Sequence, residues 1–183
     1  MNAKGQPIGK LEKYPSRAGT LVEPDALGVT NWMAPSFSPV NGLLYVDTHR
    51  SFSMYYDYAT DKPEGFAGRD LTIWSDSSLK ALEYQTGKTR WEHPLGQGED
   101  WSGVLSTAGQ IVFTGDTQGN MLALDAKTGA TLWHAFGGGA MQGPPITYEL
   151  DGRQYVVIGS GGVLYAWYLP KGIVNKSTHA GDR

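Results

Sequence analysis

From Gly19 onward, short apolar runs alternate with turn residues along the whole chain. Leu43-Leu-Tyr-Val46 follows the hairpin dipeptide Asn41-Gly42, and Leu71-Thr-Ile-Trp74 and Leu79-Lys-Ala-Leu82 come after it. Ile111-Val-Phe-Thr114, Met121-Leu-Ala-Leu124 and Thr131-Leu-Trp133 continue the rhythm, and Tyr155-Val-Val-Ile158 and Val163-Leu-Tyr-Ala-Trp167 complete it. Short runs rich in β-branched and aromatic residues, bounded by Gly, Asn and Asp, predict β-strands. No segment of ten or more residues carries its apolar positions at helical spacing. Residues 1–18 are polar, with Lys4, Lys10, Lys13 and Arg17 among Gly and Pro, and predict an extended arm or connector. Residues 19–170 hold the strands, and the polar tail 171–183 is predicted to be flexible.

One stretch of the pattern occurs twice. Ala81-Leu-Glu-Tyr-Gln-Thr86-Gly87-Lys-Thr-Arg-Trp91 returns 42 residues later as Ala123-Leu-Asp-Ala-Lys-Thr128-Gly129-Ala-Thr-Leu-Trp133. A period of this size marks a solenoid or propeller. Gln110-Ile-Val-Phe-Thr-Gly115 likewise corresponds to Gln154-Tyr-Val-Val-Ile-Gly159. Each unit reads strand, turn, strand, Thr-Gly turn, and strand ending in Trp. With an outer strand added, that is a four-stranded propeller blade. Glycine accepts the positive φ of a tight hairpin, and the terminal indole has the area to fill the gap between sheets, about 200 Å².

The predicted fold is therefore all-β, a partial β-propeller of about three four-stranded blades. One blade spans Gly42 to Trp91 with an insertion from Asp57 to Asp70, a second spans Trp101 to Trp133, and a third begins near Pro144 and stops at Leu169 without its Thr-Gly-Trp strand. Propellers close with four to eight blades. The expectation is a missing N-terminal half of the ring, or self-association through open sheet edges.

Composition narrows the function classes. The formal net charge of −3 argues against a general nucleic-acid binder. The absence of cysteine removes disulfides and thiolate metal sites without placing the protein in a compartment. No run approaches the length of a membrane span, so none is expected, and the first residues lack the apolar segment of a secretion signal. His49, His93, His134 and His179 are scattered without ligand spacing, which favours surface or turn positions. Asp57, Asp61, Glu64 and Asp70 crowd the insertion and read most simply as a solvated loop.

Thr30-Asn31-Trp32-Met33-Ala-Pro35-Ser-Phe-Ser-Pro39 and Trp101-Ser-Gly-Val-Leu-Ser-Thr-Ala-Gly109, with the two Ala…Thr-Gly…Trp repeats between and after them, make the chain specific among propellers. Together they resemble the C-terminal part of pyrroloquinoline-quinone (PQQ)-dependent alcohol dehydrogenases, eight-bladed propellers with tryptophan-docking repeats. The likeness covers about residues 19–170. It implies oxidation of a small alcohol at a PQQ cofactor beside a calcium or lanthanide ion, a cytochrome c-type electron acceptor, and a periplasmic location.

Residue by residue, the resemblance makes Asn31 a hydrogen-bonding partner of the quinone's polar rim and puts Trp32 in the same central pocket. It places Trp101 near the cofactor, and Gly161 and Gly162 on a glycine-rich approach to it. The family's metal ligands, catalytic aspartate and cysteine pair have no counterpart here, so no catalytic or metal-binding residue is expected in this chain. Without them the chain would supply one wall of the pocket and be inactive alone. Two alternatives come from the repeats alone: a non-catalytic propeller scaffold for protein partners, and a self-associating partial propeller.

Overall fold

A computed structural model describes residues 1–6, 8–58 and 69–168. Among them, twelve β-strands form three antiparallel sheets laid out in chain order. The one helical segment among the described residues is a 3-10 turn, Leu11–Lys13.

The first sheet joins β1 (Thr20–Val22), β2 (Ser36–Ser38), β3 (Leu43–Tyr56), β4 (Arg69–Glu83) and β5 (Thr89–Gln97). Its meander β2–β5 is a four-stranded blade, and β1 adds to the far end of β3, with Thr20 opposite Tyr55. The second blade is β6 (Leu105–Ser106), β7 (Ile111–Gly115), β8 (Asn120–Asp125) and β9 (Thr131–Phe136). The third sheet shows β10 (Met141–Leu150), β11 (Arg153–Ser160) and β12 (Val163–Tyr168). The tail 171–183, with His179, lies outside the described residues.

The two copies of the repeat superimpose bond for bond. Ala81 pairs with Trp91 and Ala123 with Trp133, each pair followed by a register shift at the next residue. Gly87 and Gly129 have φ of +70° and +73°, and their N–H groups donate to Glu83 and Asp125 carbonyls, both at 2.8 Å. The Thr86 and Thr128 hydroxyls donate back to the Glu83 and Asp125 carboxylates, both at 2.9 Å. The acidic residue three positions before each Thr is thus part of the turn.

Blades one and two meet in a single core of Leu43, Tyr45, Leu79, Ala81, Trp91 and Leu95 against Val104, Val112, Leu122, Leu124 and Ala126. Met121, Met141 and Ile158 seal blade two to blade three. The two repeat tryptophans differ in burial. Trp91 is enclosed by the next blade's turn, whereas Trp133 stays 40% exposed and meets only the edge of Trp167, ring centroids 5.8 Å apart. Blade three has no Thr-Gly turn among its described residues to cover it.

Two expectations need correction. Leu71–Trp74 and Leu79–Leu82 belong to one strand, and polar Ser75-Asp-Ser-Ser78 continues it instead of ending it. Pairing with the comparably long β3 gives this polar stretch ladder partners, and Phe52 against Trp74 at 5.8 Å, with Arg50 over both rings, packs the outer half. The insertion is correspondingly shorter than expected. Asp70 lies in β4 opposite Tyr55, Asp57 is exposed, and Asp61 and Glu64 fall outside the described residues.

Candidate cofactor site

The innermost strand of each blade is β2, β6 or β10, and the segments leading into these strands run side by side. Val104 N–H donates to the Ala34 carbonyl at 2.9 Å, and Gly143 N–H donates to that of Trp101 at 3.0 Å. A Cβ on Gly103 would stand 3.1 Å from the Ala34 nitrogen and 3.2 Å from Pro144 Cβ, and its φ is +78°. Only glycine permits three blades to approach this closely at that conformation.

This convergence brings Trp32 and Trp101 together. Their rings stack with centroids 5.4 Å apart and planes 11° from parallel, and Trp32 remains 62% exposed. Asn31 is also exposed, and its amide Nδ2 donates to the Leu27 carbonyl at 3.0 Å. That bond leaves one amide proton and the side-chain oxygen uncommitted. Gly161 and Gly162 are exposed in the β11–β12 turn. Met141 opposite Ser160 puts that turn at the blade end where β10 begins, but its hydrogen bond runs from Gly161 N–H to Ala140, not to Asn31, Trp32 or Trp101.

Behind the stack lies a buried polar seam that the sequence did not reveal. His49, expected at a surface or turn, is 2% exposed in the middle of β3, with its ring 6.2 Å from that of Trp101. Neither ring nitrogen has a partner among the described residues. Asp47, on the same face of β3, is 3% exposed, as is Asp100 beside Trp101. Burial holds the Asp47 carboxyl well above the usual carboxylate range, and the charge of Asp100 adds to this, while the Gly103 N–H and Thr114 hydroxyl pull the other way. Burial pushes Asp100 up to about 6, against the hydroxyl and N–H of Ser102 that favour its charged form. A period-two alternation, Tyr45, Asp47, His49, Ser51, Ser53, was the available signal for this face. Its polar content reads as solvent-facing unless the neighbouring blade is in view.

Sheets of antiparallel strands set blade to blade, with Trp91 docked on the next blade's turn, define a segment of a β-propeller. The family profile described as the PQQ glucose/ethanol/alcohol dehydrogenase β-propeller domain matches residues 74–156. A quinoprotein ethanol dehydrogenase of Pseudomonas putida is 38% identical over 159 residues, covering 80% of this chain and 25% of its own length. Among solved structures, a europium-containing methanol dehydrogenase matches with a TM-score of 0.73 at 27% identity, over 88% of this chain and 30% of that one. The quinohemoprotein alcohol dehydrogenase from Comamonas testosteroni gives 0.70 at 27% identity, over 87% and 26%. The chain belongs to the propeller family of the PQQ-dependent alcohol dehydrogenases. It spans about a quarter of the length of the curated relatives it matches.

Proposed function

We propose that this chain forms one wall of the cofactor pocket of a PQQ-dependent alcohol dehydrogenase. The stacked pair Trp32–Trp101, at the point where three innermost strands converge, carries the reading. A flat, exposed, uncharged aromatic face suits a planar fused-ring quinone, and the residues present fit that group. Trp32 would lie against its plane with Trp101 backing it, and Asn31 would offer its remaining amide proton to a carbonyl or carboxylate on the rim. Gly161 and Gly162, bare of side chains at the same end of the propeller, would leave the approach open.

When bound, PQQ with its calcium or lanthanide ion supplies the acceptance of hydride from an alcohol. This chain's own part is to bind and orient. Among the described residues no three His, Cys, Asp or Glu side chains are placed to hold an ion. On the strength of the family we assign the metal ligands and the proton-abstracting group to residues outside this chain, and expect the chain alone to be inactive. For the whole enzyme we infer a small alcohol as substrate, a cytochrome c-type acceptor and a periplasmic location, on the strength of the family.

Retention of PQQ tests the reading. The chain is mixed with PQQ and calcium or a lanthanide, together with the preceding propeller half of a relative, and bound quinone is measured after gel filtration. Retention that needs both halves is the expected result. No retention with both present would overturn the reading and leave a protein-binding scaffold. Self-association draws support from β12, which pairs only with β11 among the described residues and exposes Val163 and Leu164. A well-folded monomer in solution would dismiss it.

A further inference from the structure

The seam between blades one and two contains a continuous chain of carboxyl and hydroxyl groups. Ser102 Oγ–H donates to Asp100 Oδ2 at 2.6 Å, and Ser102 N–H reaches the same oxygen at 3.3 Å. Ser102 Oγ lies 3.1 Å from Thr114 Oγ1, which lies 3.5 Å from Asp47 Oδ2. All four residues are buried, and Ser102 and Thr114 are fully so. Ser102 Oγ also accepts the Gly115 N–H at 3.0 Å, and Thr114 Oγ1 is 3.0 Å from the Gly103 carbonyl.

Counting protons along this chain favours a protonated Asp47. Each hydroxyl has one proton to give. Ser102 gives its proton to Asp100, which is the acceptor end. If Asp47 is protonated, its O–H donates to Thr114, and Thr114 is free to donate to Ser102 or the Gly103 carbonyl. If Asp47 is ionised, Thr114 must turn toward it, and Oδ1 of Asp47, which has no partner among the described residues, becomes a buried bare charge.

We propose that a single proton held on Asp47, at the head of the Asp47–Thr114–Ser102–Asp100 chain, positions Trp101 by locking the backbone on both sides of it. Asp100 and Ser102 flank Trp101 directly, and Asp100 N–H is further anchored on Ser77 Oγ at 2.9 Å, tying the segment to β4 of blade one. Loss of the proton to solvent puts two carboxylates in one dry seam. Their repulsion separates β3 from the Trp101 segment, and the Trp32–Trp101 stack opens. Asp47, Asp100 and Thr114 are positioning residues in this scheme. The raised proton affinity of Asp47 agrees with the arrangement.

The other titratable groups on the pair are few. Asp116, after β7, acts on Asp100 with like charge, and His49 shares the Asp47 face of β3. β4 presents Ser77, and β10 presents Met141, which packs on Gly115. No lysine or arginine is among these groups.

The proposal does not depend on cofactor binding, so its test uses the chain without PQQ. Near-UV circular dichroism of the stacked indoles is followed against pH, with Trp101→Phe identifying the signal. The expected result is a signal lost on raising pH, with a midpoint above the ordinary carboxylate range. Asp47→Asn donates without titrating, so it should hold the signal through that midpoint. An unchanged midpoint in Asp47→Asn, or a wild-type signal flat from acid to alkaline pH while the chain stays folded, would overturn the proposal. Should Asp47→Asn not fold, the infrared carboxyl band of the wild-type chain decides. A protonated carboxylic acid at neutral pH supports the proposal, and its absence overturns it.

Discussion

The indole N–H of Trp91 donates to the Ala126 carbonyl at 3.1 Å, and its ring lies over Gly129 so closely that a Cβ there would come within 2.7 Å of it. The tryptophan ending one copy of the repeat is therefore docked on the Thr-Gly turn of the next. The Tyr45 hydroxyl donates to the same Ala126 carbonyl at 2.9 Å, and His93 Nδ1 sits 2.9 Å from the Gly129 oxygen. Three side chains and two main-chain carbonyls thus latch blade one to blade two.

Two glycines in equivalent turns separate backbone strain from packing. Gly87 and Gly129 share a positive φ, but nothing lies within 4 Å of a Cβ on Gly87. Gly87→Ala should cost about 1 kcal/mol for its conformation alone. Gly129→Ala should cost about 2–4 kcal/mol, because the methyl also displaces Trp91. Urea unfolding of the two variants side by side reads the difference.

Tyr45 and Trp91 share an acceptor, so their hydrogen bonds should be coupled. Tyr45→Phe is expected to destabilise by about 1 kcal/mol, since Ala126 keeps one donor. In a Trp91→Phe background the same change should cost about 1–2 kcal/mol more, because the buried carbonyl then has none. A double-mutant cycle in denaturant measures the coupling, and additive losses would contradict it.

Stability should fall as pH rises through the range in which Asp100 ionises. Its folded-state value is raised, from 3.8 to about 6, so its favourable contribution is complete below the unfolded value and is lost on going up through about 6. Two units correspond to a loss on the order of 3 kcal/mol between about pH 4 and 6. Thermal unfolding between those limits should show a declining midpoint. Asp100→Asn, which cannot ionise, should flatten the decline.

Trp32 is exposed, so Trp32→Ala should leave unfolding within about 0.5 kcal/mol of wild type. In the two-half reconstitution with PQQ, it should weaken quinone retention about tenfold or more. Trp133→Ala, at a tryptophan that is also exposed but lies away from the Trp32–Trp101 stack, should leave retention unchanged. Equal losses from both would argue against a specific aromatic platform at Trp32.

Much of the fold was legible because it repeats. Ala81, Thr86, Gly87 and Trp91 return as Ala123, Thr128, Gly129 and Trp133, and each has one physical job in a hairpin and dock. The joined β4 was not legible, because Ser75-Asp-Ser-Ser78 has the composition of a turn, and only its pairing with β3 makes it strand. The candidate site was legible in part. Asn31, Trp32 and Trp101 stand out by residue type, but nothing local says that residues 69 positions apart stack. Asp47 and His49 were missed because an alternating strand with polar residues on one face normally turns that face to water.

Periodicity and turn chemistry, both short-range, determined the class of fold and the Thr-Gly hairpins, because a hairpin's geometry is written within a dozen residues. Which tryptophan is buried, which polar face is inside and what stands behind Trp101 were decided only by blade-against-blade packing. Burial and hydrogen-bond satisfaction belong to the assembled neighbours, and a polar side chain carries no local mark of the surface that will cover it.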